Sequence, residues 1–225
     1  MNPLNHVAVI MDGNGRWGLK KKNSRNLGHK EGLKSIEEII KISLEHKIKF
    51  LTLFVFSVDN LKRPKNEVNY LFNLLSSFLP KKLKYLNKQN IKLKIIGEKK
   101  LSYKLNKLFK DSEKLTKNNT QLQINLAINY SSKLEIISAF KKILKKKIAI
   151  NEYNLSKNLY TKEIPEPEIL IRTGDTKRLS NFLLWQLSYT EIFFIKKLWP
   201  DFTGKDYLSV INKYKKIKRN FGSIS

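Results

Sequence analysis

The residues best suited to chemistry in this chain are its six arginines, which stand among 45 basic residues that are otherwise lysines. Arginine presents a planar, permanently charged fork that binds phosphate oxygens in pairs, whereas lysine presents a mobile point charge. Because lysine supplies nearly all of the other positive charges, the few arginines indicate positions where the geometry of the guanidinium fork is required. Five arginines lie in or near three polar motifs, which predict a site for diphosphate groups and span 12–17 (DGNGRW), 57–60 (SVDN) and 172–174 (RTG).

The first motif combines two glycines with an acid and an arginine. Gly13 and Gly15 allow backbone N–H groups to turn toward an anion without steric cost, although a Gly-Asn-Gly sequence alone is more often an ordinary turn. Asp12 stands at the mouth of this loop. A carboxylate beside a phosphate cradle would repel the ligand unless a cation lay between them, which favours Mg²⁺. The alternative for Asp12 is a turn or helix-capping residue.

Two further groups of polar residues extend the predicted site. Arg25 and His29 are four residues apart, so on a helix both project from one face toward the same loop. Together they suit a phosphate contact, whereas a histidine alone is more often structural. The end of an apolar strand is crowded by residues that could hold a second anion or a reacting proton, namely Ser57, Asp59, Asn60 and Arg63.

The C-terminal half supplies a third basic cluster and an isolated acid. Arg172-Thr173-Gly174 and the segment Lys177 to Ser180 place arginine and serine around a glycine turn, a combination that suits a free diphosphate. Glu191 lies between two apolar runs. An unpaired charge is costly in such a place, so Glu191 needs a cationic partner, either a side chain or a metal ion.

Composition restricts the class of protein. A chain of 225 residues that is 41% hydrophobic can bury the core of one globular α/β domain. The chain contains no cysteine, which excludes disulfides and thiolate metal sites. Residues 1–10 show no signal peptide, and the longest apolar stretch, 51–58, is far shorter than the roughly 20 residues that span a bilayer. We therefore expect a soluble protein, or one that sits on a membrane surface.

The net charge of +26 invites a nucleic-acid interpretation. The lysines are spread over the whole chain together with many asparagines and isoleucines, a mixture typical of compositional drift. We interpret them as a solvated coat and expect no specific nucleic-acid surface. Such a coat still attracts anionic substrates or lipid head groups.

Strand and helix patterns alternate along the chain. They predict strands at 6–10, 50–57, 92–96, 122–128, 169–171 and 192–195, and helices at 28–47, 66–90, 101–116, 134–147 and 203–219. Pro80 is expected to kink or interrupt the second helix. The alternation predicts a single α/β domain over 1–225, with a mostly parallel six-stranded sheet flanked by helices on both faces. All three motifs fall at carboxyl ends of strands, where ligands bind in such sheets.

Taken in order, five segments resemble the cis-prenyltransferase family, and within it most closely the bacterial undecaprenyl diphosphate synthases. Each motif is weak alone, but five in order are highly specific, and the resemblance as a whole runs over about 6–221. The segments are HVAVIMDGNGRW, Arg25-x-x-Gly28-His29, FSVDNLKRP, IRTGDTKRLSNFLLWQ and LWPDF. The DDxxD metal motif of trans-prenyltransferases is absent from the sequence, which argues against that class.

The resemblance implies a Mg²⁺-dependent transferase. Family members add isopentenyl diphosphate units to an allylic primer, usually farnesyl diphosphate, and form Z double bonds. The implied product is a long polyprenyl diphosphate, undecaprenyl diphosphate, the lipid carrier for cell-wall glycan precursors. The resemblance also implies a cytoplasmic homodimer with its interface on the last helices, peripheral at the inner membrane face. An apolar tunnel for the growing chain could be lined by 66–79 and 122–128.

The resemblance also assigns roles to individual residues. Asp12 would be the essential carboxylate, which handles Mg²⁺ and helps the allylic diphosphate leave, and Glu191 would be a second Mg²⁺ ligand. Trp17 would pack on the substrate. The residues that would cradle the allylic diphosphate are Gly13, Asn14, Gly15, Arg16, Arg25 and His29. Those near the diphosphate of isopentenyl diphosphate would be Arg172, Arg178, Leu179 and Ser180, and those between the substrates Ser57, Val58, Asp59, Asn60, Leu61 and Arg63.

Asn60 matches the position that is often assigned as the proton acceptor in this family. A carboxamide is a poor base, so the diphosphate oxygens are better candidates for the final proton.

The chain departs from the family pattern at several positions. Leu61 stands where tryptophan is usual, Lys177 where histidine is common, and Asp175-Thr176 where Gly-Glu is common. Ser131-Ser132-Lys133 replaces Gly-Gly-Arg. Near the end, Asn220-Phe221-Gly222 replaces an Arg-x-Gly triplet that reaches the partner's active site, and Arg219 lies one place early.

Two other classes remain open. One is a catalytically silent relative that acts as a binding subunit, against which the intact acids and arginines argue. The other is a nucleic-acid-binding protein, which a cluster of lysines on one face would favour.

Overall fold

The computed structural model describes residues 2–219, and in this part of the chain six strands form one sheet. The strands are β1 (His6–Ile10), β2 (Phe50–Ser57), β3 (Ile91–Ile96), β4 (Leu122–Tyr130), β5 (Ile169–Arg172) and β6 (Glu191–Phe194). They lie in the order β3-β4-β2-β1-β5-β6, and each neighbouring pair is parallel. The six predicted strands are confirmed, and the sheet is wholly parallel in the described residues, not mostly so.

Helices and short 3₁₀ turns connect the strands. The helices are α1 (Asn14–Lys22), α2 (Arg25–Glu45), α3 (Lys65–Lys88), α4 (Tyr103–Leu115), α5 (Ser132–Lys146), α6 (Glu152–Ser156) and α7 (Gly204–Lys216). The 3₁₀ turns are Val58–Lys62 and Trp199–Asp201. Among the described helices, none has the length and apolar character needed to cross a membrane.

Helix α1 was not predicted, because its sequence NGRWGLKKK contains two glycines, each a poor helix former. It forms against α2 at a close crossing of the two backbones. A Cβ on Gly18 would lie 2.7 Å from the backbone nitrogen of Gly28, and one on Gly28 would overlap the carbonyl oxygen of Asn14. Only glycine permits this approach, so α1 is stabilised by tertiary packing and not by its own propensity.

Helix α3 runs through Pro80 without a break. The expectation of an interruption is therefore wrong. Proline removes one helical hydrogen bond, but the buried side chains of Leu79 and Leu86 anchor the helix next to the proline and one and a half turns beyond it. Packing of this apolar face offsets the local cost.

Both faces of the sheet are covered, as a parallel sheet requires. Alternation along β1 sends Val7 and Val9 into the core beneath α2, α3, α4 and α7, and Ala8 and Ile10 into a second core. The segment 179–187 covers much of the second face, and α5 and α6 pack together beside it through Trp185.

A chain of buried hydrogen bonds crosses three strands at the amino half of the sheet. His6 Nδ1 lies 2.7 Å from the carbonyl oxygen of Pro165, so Nδ1 donates, and Nε2 accepts from the Thr52 hydroxyl at 2.7 Å. The Thr52 oxygen in turn accepts from Asn125 at 2.9 Å, and Asn125 accepts from Gln123 at 2.8 Å. Burial lowers the pKa of His6 to about 4, partly opposed by the hydrogen bond to Pro165.

This environment predicts acid-sensitive stability. The pKa of His6 is lower in the folded than in the unfolded chain, so its contribution is complete above about pH 6.5 and is lost as pH falls toward about 4. The loss should reach on the order of 3 kcal/mol. We expect the loss of stability between pH 7 and 4, measured by urea unfolding, to be smaller in His6→Asn, which cannot titrate at this position, than in the wild type. Parallel stability curves for the two proteins would contradict the assignment.

Candidate functional site

The three polar motifs meet at one edge of the sheet, the edge formed by the carboxyl ends of its parallel strands. Asp12 follows β1, Ser57 ends β2 and Arg172 ends β5, and these are three adjacent parallel strands. The carboxyl ends of parallel strands face the same way, so the motifs converge where the sequence placed them.

Asp12 links two arginines at the centre of this edge. Its Oδ2 accepts from Arg172 Nη2 at 2.8 Å, and its Oδ1 accepts from Arg16 Nη2 at 3.3 Å. Arg16 Nη2 also donates to the carbonyl oxygen of Gly174 at 2.6 Å. The first and third motifs are therefore tied together by charge-assisted hydrogen bonds.

Arg172 is buried, with 3% of its surface exposed. Its Nη1 donates to the backbone carbonyl of Arg178 and to Ser180 Oγ, the latter at 2.8 Å. Arg178 itself is exposed, and Leu179 packs against the second core. The predicted basic cluster is thus a loop organised around one buried guanidinium, beside a second that faces solvent.

The N-terminus of α1 opens onto the same edge. Gly13 precedes the helix with φ of 108°, a conformation that favours glycine, and no side chain caps the first turn. The first backbone N–H groups of a helix lack internal partners and attract anions. The predicted loop 13–16 is therefore a helix N-terminus, which presents N–H groups for the same purpose. Trp17 donates through Nε1 to Asp201 at 2.7 Å, which holds α1 against the 199–201 turn.

A second cluster forms around Glu67, a residue the sequence analysis missed. Glu67 accepts from Arg25 at 3.0 and 3.2 Å and from Arg63 at 3.1 Å. His29 Nε2 lies 3.7 Å from Glu67 Oε1. Burial alone would raise the pKa of Glu67, but the hydrogen bond from Arg25 and the charges of Arg25, Arg63 and His29 lower it. The four-residue spacing from Arg63 was the one sequence signal for this acid.

The same cluster keeps His29 neutral at pH 7. Burial, then the charge of Arg63, lower the pKa of His29 to about 4, and Glu67 opposes this in part. The ring lies in the cleft beside Asn14 and Gly32. A neutral histidine can gain charge when an anion arrives.

The second motif is a capped 3₁₀ turn. Ser57 N donates to Asn60 Oδ1 at 3.0 Å, and Asn60 N donates to Ser57 Oγ at 3.2 Å. The Asn60 carboxamide thus caps the turn that carries Asp59, Val58 and Leu61. Asp59 pairs with Lys62 at 2.7 Å, and Leu61 is 48% exposed.

Several polar atoms at this edge lack partners. Buried polar groups are nearly always hydrogen-bonded, yet within residues 2–219 five buried side-chain atoms have no hydrogen-bond partner, and three belong to predicted substrate-binding residues: Asn14 Oδ1, His29 Nε2 and Arg172 Nε. Their concentration at one edge indicates a ligand that would satisfy them.

Two apolar cavities lie behind this edge, between α2, α3 and the sheet. The smaller, about 90 Å³, begins at Asn14 and His29 and continues between Leu33 and Phe72. The larger, about 380 Å³, is lined by apolar residues of α2, α3, β2, β3 and β4. The two share wall residues, namely Leu33, Ile36, Val55, Leu75 and Phe78.

Glu191 does not join Asp12 within one chain. It begins β6 and is level with Ile169, which is itself level with Val7. Asp12 lies five residues further along, roughly 16 Å at the rise of a strand. The Glu191 carboxylate lies 3.6 Å from Arg219 Nε, so the cationic partner it required is a side chain here. The altered triplet Asn220-Phe221-Gly222 lies outside the described residues.

The donor set fits a magnesium ion only in part. The described residues contain no group of three or more acidic or histidine side chains placed to hold a metal. Mg²⁺, however, commonly takes one or two carboxylates and completes its shell with phosphate oxygens and water. Asp12, which lies beside the predicted diphosphate cradle, fits that mode.

Comparison with known proteins agrees with this geometry. Residues 10–222 match the prenyltransferase family described as "Putative undecaprenyl diphosphate synthase". A Buchnera aphidicola ditrans,polycis-undecaprenyl-diphosphate synthase ((2E,6E)-farnesyl-diphosphate specific) is 46% identical over 99% of this chain and 92% of its own length.

Two solved structures are also similar. A probable undecaprenyl diphosphate synthase from Campylobacter jejuni is 37% identical with a TM-score of 0.86, covering 99% of this chain and 100% of its own. The lavandulyl diphosphate synthase of Lavandula x intermedia, in complex with dimethylallyl diphosphate, is 33% identical with a TM-score of 0.93, covering 98% of each chain.

The state of His29 gives a direct test of anion binding. An anion favours the charged imidazole, so inorganic diphosphate should raise the pKa of His29 from about 4 by at least about one unit. Histidine NMR titration with and without diphosphate measures this. His6, equally shifted but at the amino half of β1, is the internal control and should stay near 4. An unchanged His29, or equal shifts at both rings, would contradict the site.

Proposed function

The chain belongs to the undecaprenyl diphosphate synthase family of cis-prenyltransferases, and from this premise we propose that it condenses isopentenyl diphosphate units onto farnesyl diphosphate to make ditrans,polycis-undecaprenyl diphosphate. The observation that carries the proposal is the pairing of two arginine–carboxylate clusters on one sheet edge, at the polar end of an apolar cavity. The two substrates together carry two diphosphates, which the arginine clusters would bind, and one long hydrocarbon tail, which needs an apolar cavity.

The allylic diphosphate is assigned to the α1 N-terminus and the Glu67 cluster. The N–H groups that follow Gly13 offer a cradle for its oxygens, and Arg25 and His29 lie within reach of the same cleft. The tail of the primer would then enter the apolar cavity behind His29. Exclusion of water there would protect a developing carbocation.

The diphosphate of isopentenyl diphosphate is assigned to the Arg172 loop. Arg172 orders the loop from within, and Arg178 faces solvent with Ser180 beside it. Arg178 can grip the entering diphosphate as a fork. Val58, Asp59, Asn60 and Leu61, which form the turn after β2, would lie between the two substrates.

The reaction breaks the allylic carbon–oxygen bond and joins that carbon to the terminal alkene carbon of isopentenyl diphosphate. The departing diphosphate takes the electron pair, and positive charge and N–H dipoles fixed at Arg16, Arg25 and the α1 N-terminus stabilise it. The proton lost from the new chain passes to a diphosphate oxygen, since the Asn60 carboxamide is a poor base and caps its own turn.

Magnesium, which Asp12 would hold together with diphosphate oxygens, supplies Lewis-acid stabilisation of the leaving group when bound. Asp12 itself has a second task. Its carboxylate orients Arg16 and Arg172 before substrate arrives.

We further propose a homodimer that uses the outer face of β6. Ile192 and Phe194, each 39% exposed, lie on an edge strand, where unprotected apolar side chains are unusual. Sequence analysis favoured the last helices, but α7 buries Tyr207, Val210 and Ile211 within its own chain. A partner could bring its Glu191 toward the site that one chain leaves without a second carboxylate. Delivery of a lipid product, together with the basic charge, supports peripheral contact with an anionic membrane.

The activity test uses farnesyl diphosphate, labelled isopentenyl diphosphate and Mg²⁺, with chromatography of the products. Asp12→Ala should lower turnover by at least about a hundredfold, because it removes the carboxylate that would hold magnesium at the leaving group and that orients Arg16 and Arg172. Asp111→Ala, which removes an exposed carboxylate paired only with Lys107 on α4, is the matched control and should retain activity. A wild type that makes no product from this primer would overturn the proposal and favour a silent binding subunit.

The dimer is tested by Ile192→Lys combined with Phe194→Lys. Charge on this apolar face should shift the mass measured by light scattering from twice 26.4 kDa toward 26.4 kDa. Tyr103→Lys, which alters an aromatic residue that is 83% exposed on α4, should leave the dimer intact. An unchanged mass in the β6 variant would place the interface elsewhere.

A further inference from the structure

The turn between α1 and α2 forms a strongly basic corner of the molecule. The segment 19–30, which we call the basic corner, contains five basic residues and no acid. The acids that flank it along the chain, Asp12 and Glu31, are already paired with cations. Its four lysines are exposed and pair with no acid within residues 2–219: Lys20, Lys21, Lys22 and Lys30. The corner therefore carries positive charge that its own chain does not neutralise.

Two exposed leucines lie in the same corner. Leu19 is 49% and Leu27 43% exposed, and they flank the close contact between Gly18 and Gly28. The N–H of Ser24 donates to the carbonyl oxygen of Gly18 at 3.1 Å, which closes the turn between the helices. A single exposed leucine needs no explanation, but leucines set among unpaired lysines are typical of surfaces that bind membranes.

The basic corner adjoins the mouth of the candidate site. Arg25 belongs to both, because its guanidinium donates to Glu67 and packs over the first turn of α1, where a Cβ on Gly15 would lie 2.7 Å from the guanidinium carbon. Helix α1 runs from the diphosphate cradle to Lys22, and its nine residues cover about 13 Å. A surface seated on the corner would thus lie about one short helix away from the bound head groups.

The chemistry of the corner selects an anionic lipid bilayer as its partner. Lysines are attracted to a leaflet with negative head groups, in proportion to their number. Leucines gain a partner at the boundary between the head groups and the acyl chains. A nucleic acid would satisfy the lysines but would leave both leucines in water, so the combination favours lipid.

We propose that the basic corner is a membrane-docking surface. Lys20, Lys21 and Lys22 bind the head groups of an anionic bilayer, and Leu19 and Leu27 insert at the boundary with the acyl chains. The mouth of the candidate site then faces the head-group layer, where an amphiphilic primer and a lipid product reside. The inference deepens the peripheral contact within the proposed function by naming its surface.

Charge reversal tests the lysines, with vesicles of phosphatidylglycerol and phosphatidylcholine and flotation as the binding measurement. Lys20→Glu combined with Lys21→Glu and Lys22→Glu should weaken binding by at least about a hundredfold. The matched control makes the same change of net charge at exposed lysines of α4 and should stay within about threefold of wild type: Lys104→Glu, Lys110→Glu and Lys114→Glu. Equal losses in the two triple variants would identify a general lysine coat and overturn the inference.

The leucines separate a lipid surface from any other polyanion. Leu19→Ser combined with Leu27→Ser keeps every charge and should weaken vesicle binding about tenfold, while the affinity for a DNA duplex should not change. Leu115→Ser, at a leucine of α4 that is also exposed, is the matched control and should bind vesicles as the wild type does. Unchanged vesicle binding in the double serine variant would indicate a polyanion site and contradict membrane docking.

A fluorescent label locates the inserted surface. The chain has no cysteine, so Leu27→Cys, Leu115→Cys and Ile137→Cys each provide one thiol for a nitrobenzoxadiazole dye. Ile137 is 49% exposed on α5, beside other lysines, and represents the competing apolar surface. Anionic vesicles should raise and blue-shift the emission at position 27 alone. A response at 115 or 137 without one at 27 would place the membrane elsewhere and overturn the inference.

Condensation without vesicles separates this inference from the proposed function. Its rate should stay within about twofold of wild type in the lysine and leucine variants, because none of the changed residues belongs to the arginine clusters or the cavity walls. A wild type that makes no product refutes the proposed function, and vesicle binding still decides the docking surface. A wild type that makes product but does not bind anionic vesicles overturns the docking surface alone.

Discussion

The guanidinium of Arg172 is the contact on which the site depends. It is buried at the end of β5 and reaches three partners: Asp12 after β1, the carbonyl of Arg178 and the hydroxyl of Ser180. A buried charge is tolerated only when it is paired and hydrogen-bonded. The need to satisfy Arg172 therefore sets the position of Asp12 and the path of the loop that presents Arg178. The Nε of Arg172 is the one nitrogen of this guanidinium that has no hydrogen-bond partner within the described residues.

The Glu67 cluster, which lies at the same edge of the sheet, is also built from a carboxylate paired with arginines. Cations gathered to hold an anion repel one another in its absence, and a carboxylate placed among them removes that repulsion. Asp12 serves Arg16 and Arg172, and Glu67 serves Arg25 and Arg63 and lies beside His29, which is neutral at pH 7. The cost is that an arriving diphosphate meets a partly neutralised surface. The neutral His29 and the solvent-facing Arg178 are then the groups with most to gain from the ligand.

The polar edge and the apolar cavity are joined by helix geometry. Along α2, His29 faces the polar mouth, and Leu33, Ile36 and Ile40 follow at successive turns down the cavity wall. Along α3, Glu67 is followed by Leu71, Leu75 and Phe78 in the same way. At 1.5 Å per residue, the eleven steps from His29 to Ile40 cover about 16 Å. Head group and hydrocarbon tail are thus assigned to one face of each helix, and the ligand would run parallel to both axes.

The sequence by itself determined the strands, their alternation with helices and the strand end at which each motif lies, because apolar periodicity and motif position are local properties. It also identified Asp12 and the arginines, since residue type states what chemistry is possible. It missed α1, whose two glycines signal a poor helix and whose existence depends on the backbone crossing with Gly28. It missed Glu67 and Asp201, ordinary surface acids in sequence, because only folding brings them to Arg25 and Trp17. It grouped Glu191 with Asp12, whereas the register of the parallel strands puts Glu191 at the amino end of the sheet and Asp12 at its carboxyl end within one protomer. Which charges meet, and which buried atoms stay without a partner, are distances between segments far apart in the chain, and only the tertiary structure decides them.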